Sequence, residues 1–143
     1  MPRQINLDAL SREPFNNIVV EDTRYITYCP DFSQWPFEKW IAPKLSDGAK
    51  FNDVPDSDLP DLAQILHQSI QGIEAIYNDP RLSQIHPGTP FGYNYYIYHG
   101  NNWYIRLIPR FIHRAGFELG TGLSVNLIDP LSAATYFKEV YGA

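Results

Sequence analysis

An α+β fold, with an antiparallel sheet of about five strands, one long helix and a C-terminal helix, follows from three features of the sequence. Short β-branched and aromatic runs are punctuated by proline and glycine. One segment carries a long helical period and a shorter one follows near the C-terminus. The 10 Tyr, 8 Phe and 3 Trp supply flat side chains suited to covering a sheet. At 143 residues the chain suffices for one hydrophobic core. The domain is placed at 17–143, behind an N-terminal arm, 1–16, in which Pro2 and Pro14 fall and no period is sustained.

The elements follow in order. Ile18-Val19-Val20 and Tyr25-Ile26-Thr27-Tyr28-Cys29 flank the polar Glu21-Asp22-Thr23-Arg24, which reads as a hairpin. A third strand, Phe37 to Ile41, lies between Pro36 and Pro43. Leu59, Leu62, Ala63, Leu66, Ile70, Ile73 and Tyr77 recur at three and four, predicting a long helix. Asp56 and Ser57 are its expected caps, Pro60 fits its first turn, and Asn78-Asp79-Pro80 closes it. A loop over 81–92 leads to strands 93–98 and 103–108, joined by His99-Gly100-Asn101-Asn102 as an antiparallel hairpin. Residues 110–122 are expected as loop or bulged backbone and Leu123 to Asn126 as a short strand. A final helix follows Asp129-Pro130, with Leu131, Ala134, Phe137, Val140 and Tyr141 on one face.

Composition excludes several classes. A net charge of -5 and the scatter of the 11 basic residues leave no broad positive face, which argues against nucleic acid. No apolar run is long enough to cross a bilayer, and no charged-then-apolar leader precedes the first strand. The single Cys29 cannot form an internal disulfide and reads as buried packing. The expected setting is cytoplasmic, away from membranes.

A period of two assigns the faces of the central hairpin. With Trp103, Ile105 and Leu107 toward the helices, Asn102, Tyr104, Arg106 and Ile108 point away. On the partner strand Tyr93, Tyr95 and Ile97 form the core set, leaving Asn94, Tyr96 and Tyr98 opposite. That open face can hydrogen-bond and stack, yet holds no nucleophile ready at neutral pH. Arg106 either grips a phosphate or lies across the tyrosines. The tyrosines themselves are packing, a base-stacking platform or a dimer surface. Arg110, His113 and Arg114 set positive charge beside Gly116, Gly120 and Gly122, a pattern shared by an anion nest and a bulged turn. Glu118 can pair with an arginine or bind a hydroxyl. The four histidines, His67, His86, His99 and His113, never occur as His-x-His, so neither metal nor cofactor is expected. Of these, His99 and His113 are placed to meet a ligand as weak catalytic candidates; His67 and His86 read as packing, surface or structural residues.

Several motifs together resemble the histidine triad superfamily, in the form of the C-terminal repeat of galactose-1-phosphate uridylyltransferases. They are Ile18-Val19-Val20-Glu21, Pro36-Phe37-Glu38 with Trp40-Ile41-Ala42-Pro43-Lys44, Tyr93-Asn94, Trp103 to Arg110, and Ala115 to Gly122. The resemblance implies a two-helix, five-strand domain related to nucleotide-handling enzymes, but the usual histidines are missing. The family's nucleophile sits in a first repeat that has no counterpart here. Its His-Trp-His-x-Glu strand corresponds to positions 102–106, so that Asn102, Tyr104 and Arg106 stand at the three equivalent positions. Tyr98 replaces another histidine, with His99 one step out of phase, and Leu45-Ser46 replace a basic-histidine pair. The implied reading is a pseudoenzyme, leaning away from catalysis, that binds a nucleotide, nucleotide sugar or small phosphate compound and forms a homodimer. A structural or protein-interaction module on the same fold is the alternative, and a divergent nucleotidyltransferase or hydrolase the second. The ligand-binding set is Asn94, Tyr96, Tyr98, Asn102, Tyr104, Arg106, Arg110, His113, Arg114 and Glu118.

Overall fold

Asp22 starts the first hairpin: its carboxylate accepts from the backbone N–H of Arg24 at 2.7 Å and of Tyr25 at 2.6 Å, an Asx turn that reverses the chain. This joins β1 (Ile18–Glu21) to β2 (Tyr25–Tyr28), as the sequence predicts. The computed structural model describes residues 17–44, 49–112, 116–123 and 126–141. The elements that follow are β3 (Lys39–Pro43), α1 (Leu59–Tyr77), β4 (Tyr93–Tyr98), β5 (Tyr104–Pro109), α2 (Gly116–Thr121) and α3 (Pro130–Val140). The strands form one five-stranded antiparallel sheet in the order β1-β2-β3-β5-β4. The fold is therefore α+β, with a long and a C-terminal helix.

Several boundaries differ from expectation. The third strand begins two residues later, because Phe37 adopts φ 62°, a left-handed conformation that cannot extend a ladder. Asp56 and Ser57 lie in a single 3-10 turn, Asp56–Asp58, ahead of the long helix; its N-cap position is Asp58, whose side chain makes no capping bond. The loop before β4 contains a further 3-10 segment, Pro80–Ile85, started by the Asp79 side chain accepting from the Arg81 N–H. The glycine-rich stretch is a short helix, α2, rather than bulged backbone. Leu123 and Asn126 are irregular, and the residues between them lie outside the described set, as does the N-terminal arm.

One face of the sheet packs on α1 and α3. Trp103, Ile105 and Leu107 are all buried there, as alternation predicts, beside Ile41, Ile73, Ile76 and Phe137. Tyr95 is a correction: it is 50% exposed, because β4 is the outermost strand and a side chain there has a neighbouring strand on one side only. The buried stripe of α1 is centred on Leu62, Ile65, Ser69, Gly72, Ile73 and Ile76, so Leu59 and Ala63 turn outward. Small residues occupy its middle for a reason. A Cβ at Gly72 would collide with the Tyr141 hydroxyl, which reaches α1 from the end of α3. On α3, Ala133, Ala134 and Phe137 are buried while Leu131 is exposed. Asp129 caps that helix as expected, accepting from the Ser132 N–H at 3.0 Å.

Candidate functional site

Alternation along β3 sends Lys39 and Ile41 into the helix-covered core and Trp40 and Ala42 to the open face, with Glu38 entering that face just before the strand. Trp40 and Tyr104 stack at 3.9 Å and 20°, and Tyr104 and Tyr98 at 5.0 Å and 14°, so rings from β3, β5 and β4 form a ladder across the sheet. Both ends of the ladder are covered. Phe32 meets Trp40 edge-on at 5.2 Å, and Tyr98 lies so close on Gly100 that a Cβ there would strike its ring. Tyr28, Ile26 and Ile18 extend the apolar patch on the β1–β2 side.

Arg106 is committed to a partner that sequence reading did not foresee. Its Nε and Nη2 donate to the two carboxylate oxygens of Glu38, each at 2.9 Å, and Nη1 donates to the Tyr96 hydroxyl at 2.8 Å. Glu38 is 1% exposed and also accepts from Trp40 Nε1 at 2.7 Å and the Gln34 N–H at 3.1 Å. Burial works against the charge of Arg106, but its bonds to Glu38 and Tyr96 outweigh it and hold the pKa above the ordinary value. The bidentate fork that would grip a phosphate is already closed on a carboxylate.

The other candidates are scattered. Asn94 lies exposed opposite Ile108, on the same side as Tyr96 and Tyr98. Asn102 falls outside β5, in a left-handed turn at φ 61° with its N–H donating to the Ala49 carbonyl, so it does not continue the alternation of Tyr104 and Arg106. Arg110 is exposed beyond the end of β5, its N–H donating to the Gly92 carbonyl, and Glu118 sits in α2. His113 and Arg114 lie outside the described residues. His99 is exposed and rests edge-on against Phe51 at 5.6 Å; Phe51 in turn packs on Trp103, toward the helix side. His86 stacks on Tyr77 at 4.2 Å, and His67 is exposed on α1. Cys29 is buried and free, burial pushing its thiol up to about 12.

Beside the ladder lies a cleft of about 90 Å³ bounded by Asn17, Ile18, Ile26, Tyr28, Pro30, Asp31 and Phe32. Its walls are mainly apolar, and Asn17, Tyr28 and Asp31 are the lining residues that carry polar groups at their ends. Asp31 accepts from Asn17 Nδ2 at 2.5 Å. The hydroxyl of Tyr28, a residue 2% exposed, has no hydrogen-bond partner among the described residues. Burial, with smaller contributions from Tyr104 and Glu38, holds its pKa well above the ordinary tyrosine value, so it remains a proton donor. A buried hydroxyl without a partner marks a place where a polar ligand atom or water is favoured. Only the strand period hinted at it, since Tyr28 lies two residues past Ile26 and shares its face. A larger hollow of about 250 Å³ lies at the other end of the sheet, between Arg24, Pro43, Val54, Asp58 and Trp103. Among the described residues no three His, Cys, Asp or Glu side chains gather as a metal site, and no helix is long and apolar enough to cross a membrane.

Comparison with known proteins places the fold. No protein-family model matches the chain. An ADP-glucose phosphorylase from Arabidopsis thaliana is 27% identical over 123 residues, 86% of this chain and 35% of that protein. The crystal structure of an ADP-glucose phosphorylase from the same plant with bound ADP-glucose superposes with a TM-score of 0.75 at 26% identity, covering 93% of this chain and 42% of that one. The chain has the histidine-triad-like fold. A uridylyltransferase structure shares it with a TM-score of 0.77 at 18% identity, over 96% of this chain and 46% of that one. A zinc-bound histidine triad family protein from Mycobacterium smegmatis does so with a TM-score of 0.59 at 17% identity, over 95% and 91%. The histidine-triad-like chain thus spans about a third of its curated relative and less than half of the uridylyltransferase structure.

Proposed function

We propose that this chain is a non-catalytic histidine-triad-like domain that binds a nucleotide or nucleotide sugar in the cleft beside the aromatic ladder. The observation that carries the proposal is the use of the strand positions matched to the family's histidines. Tyr104 is enclosed between Trp40 and Tyr98, and Arg106 is closed on Glu38. Neither is poised to attack a phosphorus atom. What the face offers instead is recognition: Ile18, Ile26 and Phe32 can flank a base, Asp31 can accept from ribose hydroxyls, and the Tyr28 hydroxyl can donate. The ADP-glucose bound by the plant phosphorylase supports this ligand class. A cytoplasmic location accords with the free buried thiol of Cys29.

Thermal denaturation in the presence of AMP, ADP, ADP-glucose, UDP, UDP-glucose and ATP tests the reading. A ligand present at a hundred times its Kd stabilises the folded state by about 2.7 kcal/mol, and no turnover accompanies binding. In Tyr28→Phe the free protein should be as stable as the wild type or more so by about 1 kcal/mol, because no partner loses a bond, while the ligand-induced shift shrinks. The absence of any shift at millimolar nucleotide would sink the proposal, and turnover would overturn its non-catalytic part.

A second reading, a homodimeric or protein-interaction module, is favoured by the outermost strand, which leaves Tyr95 50% and Tyr96 42% exposed. It predicts a dimer in sedimentation that Tyr95→Lys converts to monomer. A chain monomeric at high micromolar concentration, with no co-purifying protein, would exclude it.

A further inference from the structure

We propose that Lys39 and Tyr141 form a proton-operated latch holding α3 against α1 and the sheet: the neutral amine keeps the helix docked, and taking up a proton favours its release. The proposal is independent of the ligand reading, since Lys39 faces the helices and not the open face.

The geometry is unusual for a lysine. Lys39 is fully buried, and its Nζ lies 2.8 Å from the Tyr141 hydroxyl, 3.3 Å from the Ser69 carbonyl and 3.8 Å from the centre of the Phe137 ring. The Tyr141 hydroxyl donates onward to the Gln68 carbonyl at 3.2 Å, which leaves its oxygen to accept from the amine. The groups facing the amine can be named element by element. The end of β2 presents the Cys29 thiol, with Glu38 and Lys138 acting on that thiol; α1 presents the Ser69 carbonyl; α3 presents Phe137 and Tyr141; and β5 pairs Leu107 with Lys39. Burial raises the pKa of both Cys29 and Tyr141, so neither supplies a negative charge at neutral pH. Burial correspondingly pushes the amine down to about 7, with Cys29 opposing it weakly.

α3 is the shorter of the two helical walls. It has 11 residues against 19 in α1, and on its outer side Glu139 pairs with the exposed Arg81 at 2.9 Å while that guanidinium lies over the Tyr136 ring at 5.0 Å. Phe137 and Tyr141 of this same segment cover the amine, so moving it admits water to the charge. Asn126, ahead of α3, donates to the Ser33 carbonyl at 3.2 Å, which links the helix to the turn beside the cleft.

The sign of the effect is fixed by which form takes the proton first. With α3 undocked the amine meets water and titrates near its ordinary value of about 10.4. Docked, it titrates near 7. Between those values the proton binds the undocked form alone, so docking strengthens as pH rises through this window and levels off below it.

Amide exchange over residues 130–140 in the full chain, corrected for intrinsic rates, reads the latch directly. In the wild type, opening of α3 is expected to increase by about tenfold for each pH unit lowered from 10 toward 7, while Lys39→Met gives a flat profile. Identical pH profiles for the two proteins would overturn the proposal, as would a Lys39→Met chain that does not fold, since the latch requires an amine dispensable for folding. Carbon-13 NMR of labelled lysine supplies the independent check: a Lys39 Cε resonance titrating near 7 supports the latch, and one titrating near the ordinary lysine value rejects it.

Discussion

Replacing Glu38 with alanine is expected to lower the unfolding free energy by about 3–5 kcal/mol, seen as a fall in urea midpoint at constant slope. The carboxylate is 1% exposed and serves four donors: two on Arg106, the Trp40 indole and the Gln34 backbone. Removing it leaves a half-buried guanidinium and an indole N–H without their acceptor, and an unpaired buried charge costs far more than a lost surface pair. Arg106→Ala should cost a comparable amount by stranding the carboxylate. The double variant should then cost clearly less than the sum, because each single change has already broken the same unit. A hydrophobic pair, Glu38→Leu with Arg106→Met, should recover most of the loss. Additive single effects, or a Glu38→Ala loss below 1 kcal/mol, would show that the bridge is not what organises the open face.

What could be read from the sequence depended on how local the cause was. The period of α1 and the alternation that buries Trp103, Ile105 and Leu107 are properties of neighbouring residues, and both appear in the structure. The Asx turn at Asp22 and the cap at Asp129 are equally local. Glu38 and Arg106 are 68 positions apart, however, and only the placement of β3 beside β5 brings them together. Arg106 therefore read as a phosphate grip or a cation lying across the tyrosines; it does lie over the Tyr96 ring at 5.6 Å, but its fork is committed to a carboxylate. The face of Tyr95 followed from alternation, but its exposure follows from β4 being an edge, which is a fact of sheet order. Likewise the small residues Ser69 and Gly72 in the middle of the α1 stripe make sense only once Lys39 and Tyr141 are seen opposite them.

Phe37 is expected to be the residue whose loss disturbs the site from furthest inside. It is 1% exposed, its ring meets Phe111, Tyr136 and Phe137 edge-on at 5.7–6.0 Å, and its backbone is left-handed at φ 62°. That conformation costs a side chain with a Cβ roughly 1–2 kcal/mol, which the buried ring more than offsets. The turn it makes delivers the next residues in register, Glu38 to the open face and Lys39 to the core. Phe37→Ala should therefore lose about 3–5 kcal/mol, keeping the backbone strain while giving up the ring. Phe37→Gly gives up the same ring but is at ease with positive φ, so it should be less damaging than alanine by about 0.5–1 kcal/mol, the reverse of the usual order. Denaturant unfolding of the two variants decides it. If alanine proves the more stable, the strain argument fails. If glycine does, and the near-ultraviolet dichroism of the Trp40, Tyr104 and Tyr98 stack weakens in both, then the ring of Phe37 holds the turn that sets the open face in place.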